Sequence, residues 1–118
     1  MSSRRRSGDA TIKVHASIFA ALGDKTRLAM LAKLANGEAQ SISRLASGTN
    51  LTRQAVTKHL RVLESAGVVR SARVGRESQF ALDPETIDDV RKYLDNVSRQ
   101  WDDALARLKS FAEADPKQ

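Results

Sequence analysis

Cysteine is absent from this chain of 118 residues. That excludes disulfides, thiolate metal ligation and thiol redox sensing. Aromatic residues make up only 4%, so the core has to be built from Leu, Val, Ile and Ala. No apolar run approaches the roughly 18 residues needed to span a bilayer. No apolar segment of the signal-peptide kind follows the basic start either, so a cytoplasmic location is expected and no membrane partner. Histidine occurs only at His15 and His59. With no Gly-rich phosphate loop and no plausible Ser-His-Asp set, an enzyme is not expected.

What is present is positive charge, unevenly placed. The formal net charge is +6. Residues 1–51 hold 8 basic and 3 acidic side chains, residues 52–82 hold 6 and 2, and residues 83–118 hold 6 and 9. A basic front two-thirds implies a face that meets a polyanion, while the acidic end serves another purpose.

Along the chain, residues 1–10 (MSSRRRSGDA) have almost nothing to bury and read as a flexible basic arm. Arg4, Arg5 and Arg6 either follow phosphates or enter a minor groove, or are no more than a solvated tail. Residues 11–114 read as one domain. A first helix over 11–22 turns Val14, Ile18, Phe19 and Leu22 inward and ends at Gly23. Asp24 caps a second helix with an expected buried stripe of Leu28, Leu31 and Leu34, stopped by Asn36-Gly37.

Residues 41–67, SISRLASGTNLTRQAVTKHLRVLESAG, predict two short helices joined by a tight Gly-containing turn. Ser41 caps the first, which carries Ile42 and Leu45. Thr52 caps the second, and Gly67 closes it. Val56, Leu60 and Leu63 recur at four then three and share one helical face, which has to be buried. The opposite face is left with Arg53, Gln54, Thr57, Lys58, His59 and Arg61, cationic and rich in donors. That geometry places a recognition helix in a DNA major groove.

The apolar period then changes from 3.6 to 2. VVRSARVGRESQFAL reads as two antiparallel strands turning at Gly75, a hairpin studded by Arg70, Arg73 and Arg76. It is either a basic wing against DNA or an exposed edge kept soluble by charge. Asp83-Pro84 starts a last helix over 84–114. Its apolar positions Ile87, Val90, Leu94, Val97, Trp101, Ala104, Leu108 and Phe111 form a heptad seam, widened by Tyr93 and Leu105. At about 45 Å this helix outruns a body so small, and part of its seam is expected to meet another chain. The expected fold class is mainly α with a small β-hairpin, a winged helix-turn-helix in the order α-α-α-α-β-β-α.

This order, with AALGDKTRLAMLAKLANGE, AVTKHLRVLESAGVV and VGRESQFAL, resembles the ArsR family of bacterial winged helix-turn-helix repressors over roughly residues 14–112. The resemblance implies a homodimer formed by the first and last helices. Ile18, Phe19, Leu94, Val97, Trp101, Leu105 and Leu108 are the interface residues it suggests. It also implies double-stranded DNA as partner, with a palindromic operator and blocked transcription, and leaves the inducer open. Metal-sensing members carry a Cys motif in the third helix, where SISRLAS has none. Others carry Asp and His ligands in the last helix, where residues 84–114 contain no His. The chain therefore resembles the metal-independent branch, with no metal site and no cofactor.

On the DNA side, Arg53 and Gln54 lie in the first helical turn, suited to guanine and adenine edges. Lys58 and Arg61 suit phosphates. His59 donates to DNA or is a structural histidine beside Leu60. Ser41, Ser43 and Arg44 anchor the neighbouring backbone, or Ser41 is only a cap. The rival reading is a winged-helix protein–protein interaction module, which has little reason to keep this face basic.

Overall fold

Backbone hydrogen-bond donors at the helix starts are met by four side chains that the sequence places there. In a computed structural model of the protein, which describes residues 3–114 and the side chains of residues 11–114, Asp24 accepts from the Arg27 N–H at 3.0 Å. Ser41 accepts from Arg44 at 3.1 Å and Thr52 from Ala55 at 3.0 Å. Asp83 accepts from Glu85 at 3.0 Å and Thr86 at 3.3 Å. Each satisfies a donor with no intrahelical partner, so these four helices begin where their caps stand.

The elements are α1 (Ser3–Leu22), α2 (Lys25–Lys33), β1 (Gln40–Ser41), α3 (Ile42–Ala46), α4 (Arg53–Ser65), β2 (Val69–Val74), β3 (Glu77–Leu82) and α5 (Pro84–Glu113). The first helix starts at Ser3, well before the expected residue 11, so the backbone of Arg4, Arg5 and Arg6 is helical. The arginine triplet continues the helix because Arg has good helix propensity and no Pro intervenes. Whether those side chains touch DNA lies outside the described residues. Among the described residues, no helix is long and apolar enough to cross a membrane.

The short β1 was not expected. It pairs antiparallel with β3, Gln40 opposite Phe80 and Ser41 opposite Gln79, giving a three-stranded sheet in the order β1-β3-β2. In the hairpin, Val69 faces Leu82 and Val74 faces Glu77 around Gly75, whose φ of 65° is open to glycine at little cost. Gly48 does the same for the α3–α4 turn, at φ 78°. Within β2 only Val69 is buried, so the rest of that strand stands out from the body as a wing.

The core of the body joins Ile18 and Ala21 of α1, Met30 and Leu34 around α2, Leu45, the α4 stripe Val56, Leu60 and Leu63, and Val68, Val69 and Phe80. All three α4 residues are fully buried, as their spacing requires. The α2 stripe differs from expectation. Met30 and Leu34 face inward, Leu31 is half-buried, and Leu28 is 52% exposed. At about 100° per residue, a face centred on Met30 and Leu34 turns Leu28 to the far side. Val14 is likewise exposed.

The chain divides after Ile87 into two compact units. The first holds α1 to β3 and the start of α5. The second is the remainder of α5, in which no residue is buried. Trp101 is 67% exposed, and Leu94, Leu105, Leu108 and Phe111 are exposed with it.

Candidate nucleic-acid interface

Burial of Val56, Leu60 and Leu63 fixes the rotation of α4 and therefore what it presents outward. Arg53, Gln54 and Lys58 are exposed, Thr57 partly so. Beside them stand Ser43 and Arg44 of α3, and the wing carries Arg73 and Arg76, also exposed. The side chains of Ser43, Arg44, Arg53, Gln54, Lys58, Arg73 and Arg76 make no hydrogen bond or ion pair with other described residues. Their donors are open to an external acceptor.

The remaining sequence candidates are engaged within the chain. Ser41 and Thr52 are caps, and the Thr57 hydroxyl donates to the Arg53 carbonyl at 2.8 Å, one turn back. Arg61, expected as a phosphate clamp, donates to Glu64 at 2.7 Å and lies 5.6 Å from the centre of the Phe80 ring. Glu64 also accepts from the Ser71 hydroxyl at 2.6 Å, so the trio ties α4 to β2. The Ser71 hydroxyl first, then Arg61, hold the Glu64 carboxyl below its ordinary range. Arg70 sits 3.5 Å from Asp83, turned to the base of the wing.

His59 makes contacts within its own chain. Its Nδ1 lies 3.3 Å from Arg27 Nη1 and 3.8 Å from Asp24 Oδ2, and the side chain is only partly exposed. The Asp24 carboxyl is lowered chiefly by the Arg27 backbone N–H, with help from the Arg27 and His59 charges.

Several positioning residues carry no sequence signal of their role. Lys33 donates to the Leu45 carbonyl at 3.0 Å and the Ser47 carbonyl at 2.9 Å, stapling α2 to the end of α3. Gln40 donates to the Lys33 carbonyl at 2.6 Å. Arg27 Nε donates to the Ala21 carbonyl at 2.6 Å. Such bonds tie α1, α2, β1 and α3 to one another. By contrast, the three-residue spacing of Arg61 and Glu64 was a legible signal of a helical ion pair.

The residues suggested for self-association divide. Ile18 is 3% exposed and belongs to the core, so association would remove almost nothing of it from water. Phe19 and Val97 are half-buried, and Leu94, Trp101, Leu105 and Leu108 are exposed. Among the described residues, no three His, Asp or Glu side chains cluster to hold a metal.

Comparisons with known proteins meet this geometry. A helix-turn-helix domain profile matches residues 22–72. The chain is 36% identical over 95 residues to the HTH-type transcriptional regulator Rv2034 of Mycobacterium tuberculosis, across 80% of this chain and 85% of that protein. It superposes on an ArsR-like transcriptional regulator from Rhodococcus sp. RHA1 with a TM-score of 0.75 and 37% identity, covering 90% of this chain and 99% of that one. It also resembles a homodimeric winged helix-turn-helix DNA-binding domain from Mycobacterium bovis, at a TM-score of 0.63 and 25% identity over 85% of this chain and 89% of that one. By these likenesses the chain belongs to the ArsR-like family of winged helix-turn-helix transcriptional regulators.

Proposed function

We propose that the protein acts in the cytoplasm as a homodimeric repressor, which binds a palindromic operator and blocks transcription of its own or a neighbouring operon. The observation that carries this reading is the row of unpartnered donors on α4, α3 and the wing, over a fully apolar buried face. Two-fold pairing of such bodies would set two α4 helices about one helical turn of DNA apart. The homodimeric Mycobacterium bovis domain supports the same assembly. The exposed apolar seam of α5 gives a second copy something to bury. Footprinting on the DNA upstream of the protein's own gene tests the whole reading. Protection of an inverted repeat is expected, and no protection anywhere would favour a protein-binding module.

Gln54 is exposed in the first turn of α4, where a carboxamide suits the two-bond pairing with adenine. Gln54→Ala should relax sequence preference by about 1–3 kcal/mol. Lys58→Ala should weaken all sequences alike. Competition between selected and arbitrary duplexes measures the ratio, and an unchanged ratio in Gln54→Ala would remove Gln54 as the reading residue.

The repressor is further proposed to be indifferent to metals. Thiolates are absent and the last helix lacks histidine, which leaves carboxylates, poor partners for soft ions. Zinc, nickel, cadmium or arsenite added to a preformed complex should leave it intact. Release at stoichiometric metal would point to a carboxylate–histidine site built across the dimer, with His15 the first ligand to test.

A further inference from the structure

Three segments far apart in sequence border one small cleft on the DNA-facing side of the body. Ser41 and Ser43 at the start of α3, Arg53 at the start of α4, and Arg76 and Glu77 at the wing tip line a space of about 150 Å³. A cleft of that size has room for a tetrahedral anion. Both guanidiniums are exposed and neither has an intramolecular partner. Two arginines with one carboxylate leave the wall a single net positive charge, which matches one phosphodiester rather than a phosphate dianion.

We propose that this cleft seats one phosphodiester of the DNA backbone, held jointly by Arg53 and Arg76 with the Ser43 hydroxyl. This rests on the DNA-binding reading above and changes the role of one residue in it. Arg53 sits in the helical turn that reads bases, but here it positions the helix, and base reading falls to its neighbour Gln54. One phosphate gripped from both α4 and the wing also sets how far the wing stands from the recognition helix on DNA.

The test uses full-length protein, Arg53→Ala, Arg76→Ala and the double variant, all at exposed positions that leave the core untouched. Binding to a short duplex of arbitrary sequence is measured against salt. Each single variant should weaken binding to every sequence by roughly ten-fold. The double variant should lower the salt slope by about 0.9 per protomer, the value for one phosphate. A drop of about 1.8 per protomer would mean two separate phosphates and would overturn the clamp. A second arm scans duplexes that each carry one neutral methylphosphonate linkage. One linkage position should weaken the wild type yet leave both single variants little further affected. Different positions for the two variants, or relaxed base preference in Arg53→Ala, would also overturn it. Failure of the wild type to bind any duplex would instead sink the DNA-binding reading itself.

Discussion

Raising salt from about 50 mM to about 200 mM should cut affinity for duplex DNA by about four orders of magnitude. The size follows from which cations are open to DNA. Arg44, Arg53, Lys58, Arg73 and Arg76 are exposed and unpartnered, whereas Arg61 and Arg70 are occupied by Glu64 and Asp83. If Arg53 and Arg76 share a phosphate, each protomer neutralises about four and a dimer about eight. Each neutralised phosphate releases counterions and contributes about 0.9 to the slope of log affinity against log salt. Fluorescence anisotropy with a labelled duplex over that salt range measures the slope directly. A flat response would sink the repressor proposal, since this surface has little else with which to hold DNA. Arg61→Ala should leave the slope nearly unchanged, because its charge is already met on its own helix.

Trp101→Ala should raise the dimer dissociation constant about a thousand-fold. Trp101 is 67% exposed within the chain, so it is not the core residue that a lone tryptophan on an apolar seam first suggests. Leu94, Leu105, Leu108 and Phe111 are exposed on the same helix, an apolar surface suited to burial against the second copy proposed above. Truncating a Trp at an interface commonly costs 2 kcal/mol or more. In a two-fold symmetric dimer the loss occurs twice, and about 4 kcal/mol is about three decades. Operator affinity should fall with it, because linked half-sites lose their avidity once the protomers separate. Analytical ultracentrifugation beside a DNA titration tests both halves. A folded variant that stays fully dimeric would move the interface away from this seam.

Much of this architecture was readable because it is local. Asp24, Ser41, Thr52 and Asp83 act on backbone groups two or three residues away, so their identity announces four helix starts. The Val56, Leu60 and Leu63 stripe needs only the helical period to define an inner and an outer face. Gly75 marks the wing turn through its own backbone freedom. Local readings failed where the signal was short or ambiguous. Two residues are too few to show strand alternation, so β1 stayed hidden. A helix with apolar residues at Leu28, Met30, Leu31 and Leu34 has more than one possible inner face, and only packing against its neighbours selects the side of Met30.

The chain's order of residues determined that there would be a recognition helix, which face it would bury, and that its outer face and wing would be basic. Those properties follow from period, caps and charge, which act within a few residues. Tertiary structure decided which of the basic residues remain available. Arg61 is claimed by Glu64 and Phe80, Arg70 by Asp83 and His59 by Arg27, while Arg53 and Arg76, 23 positions apart, are brought to one cleft. Ion pairs, cation–π contacts and shared clefts depend on distances across the fold. A linear pattern carries residue identities but not those distances.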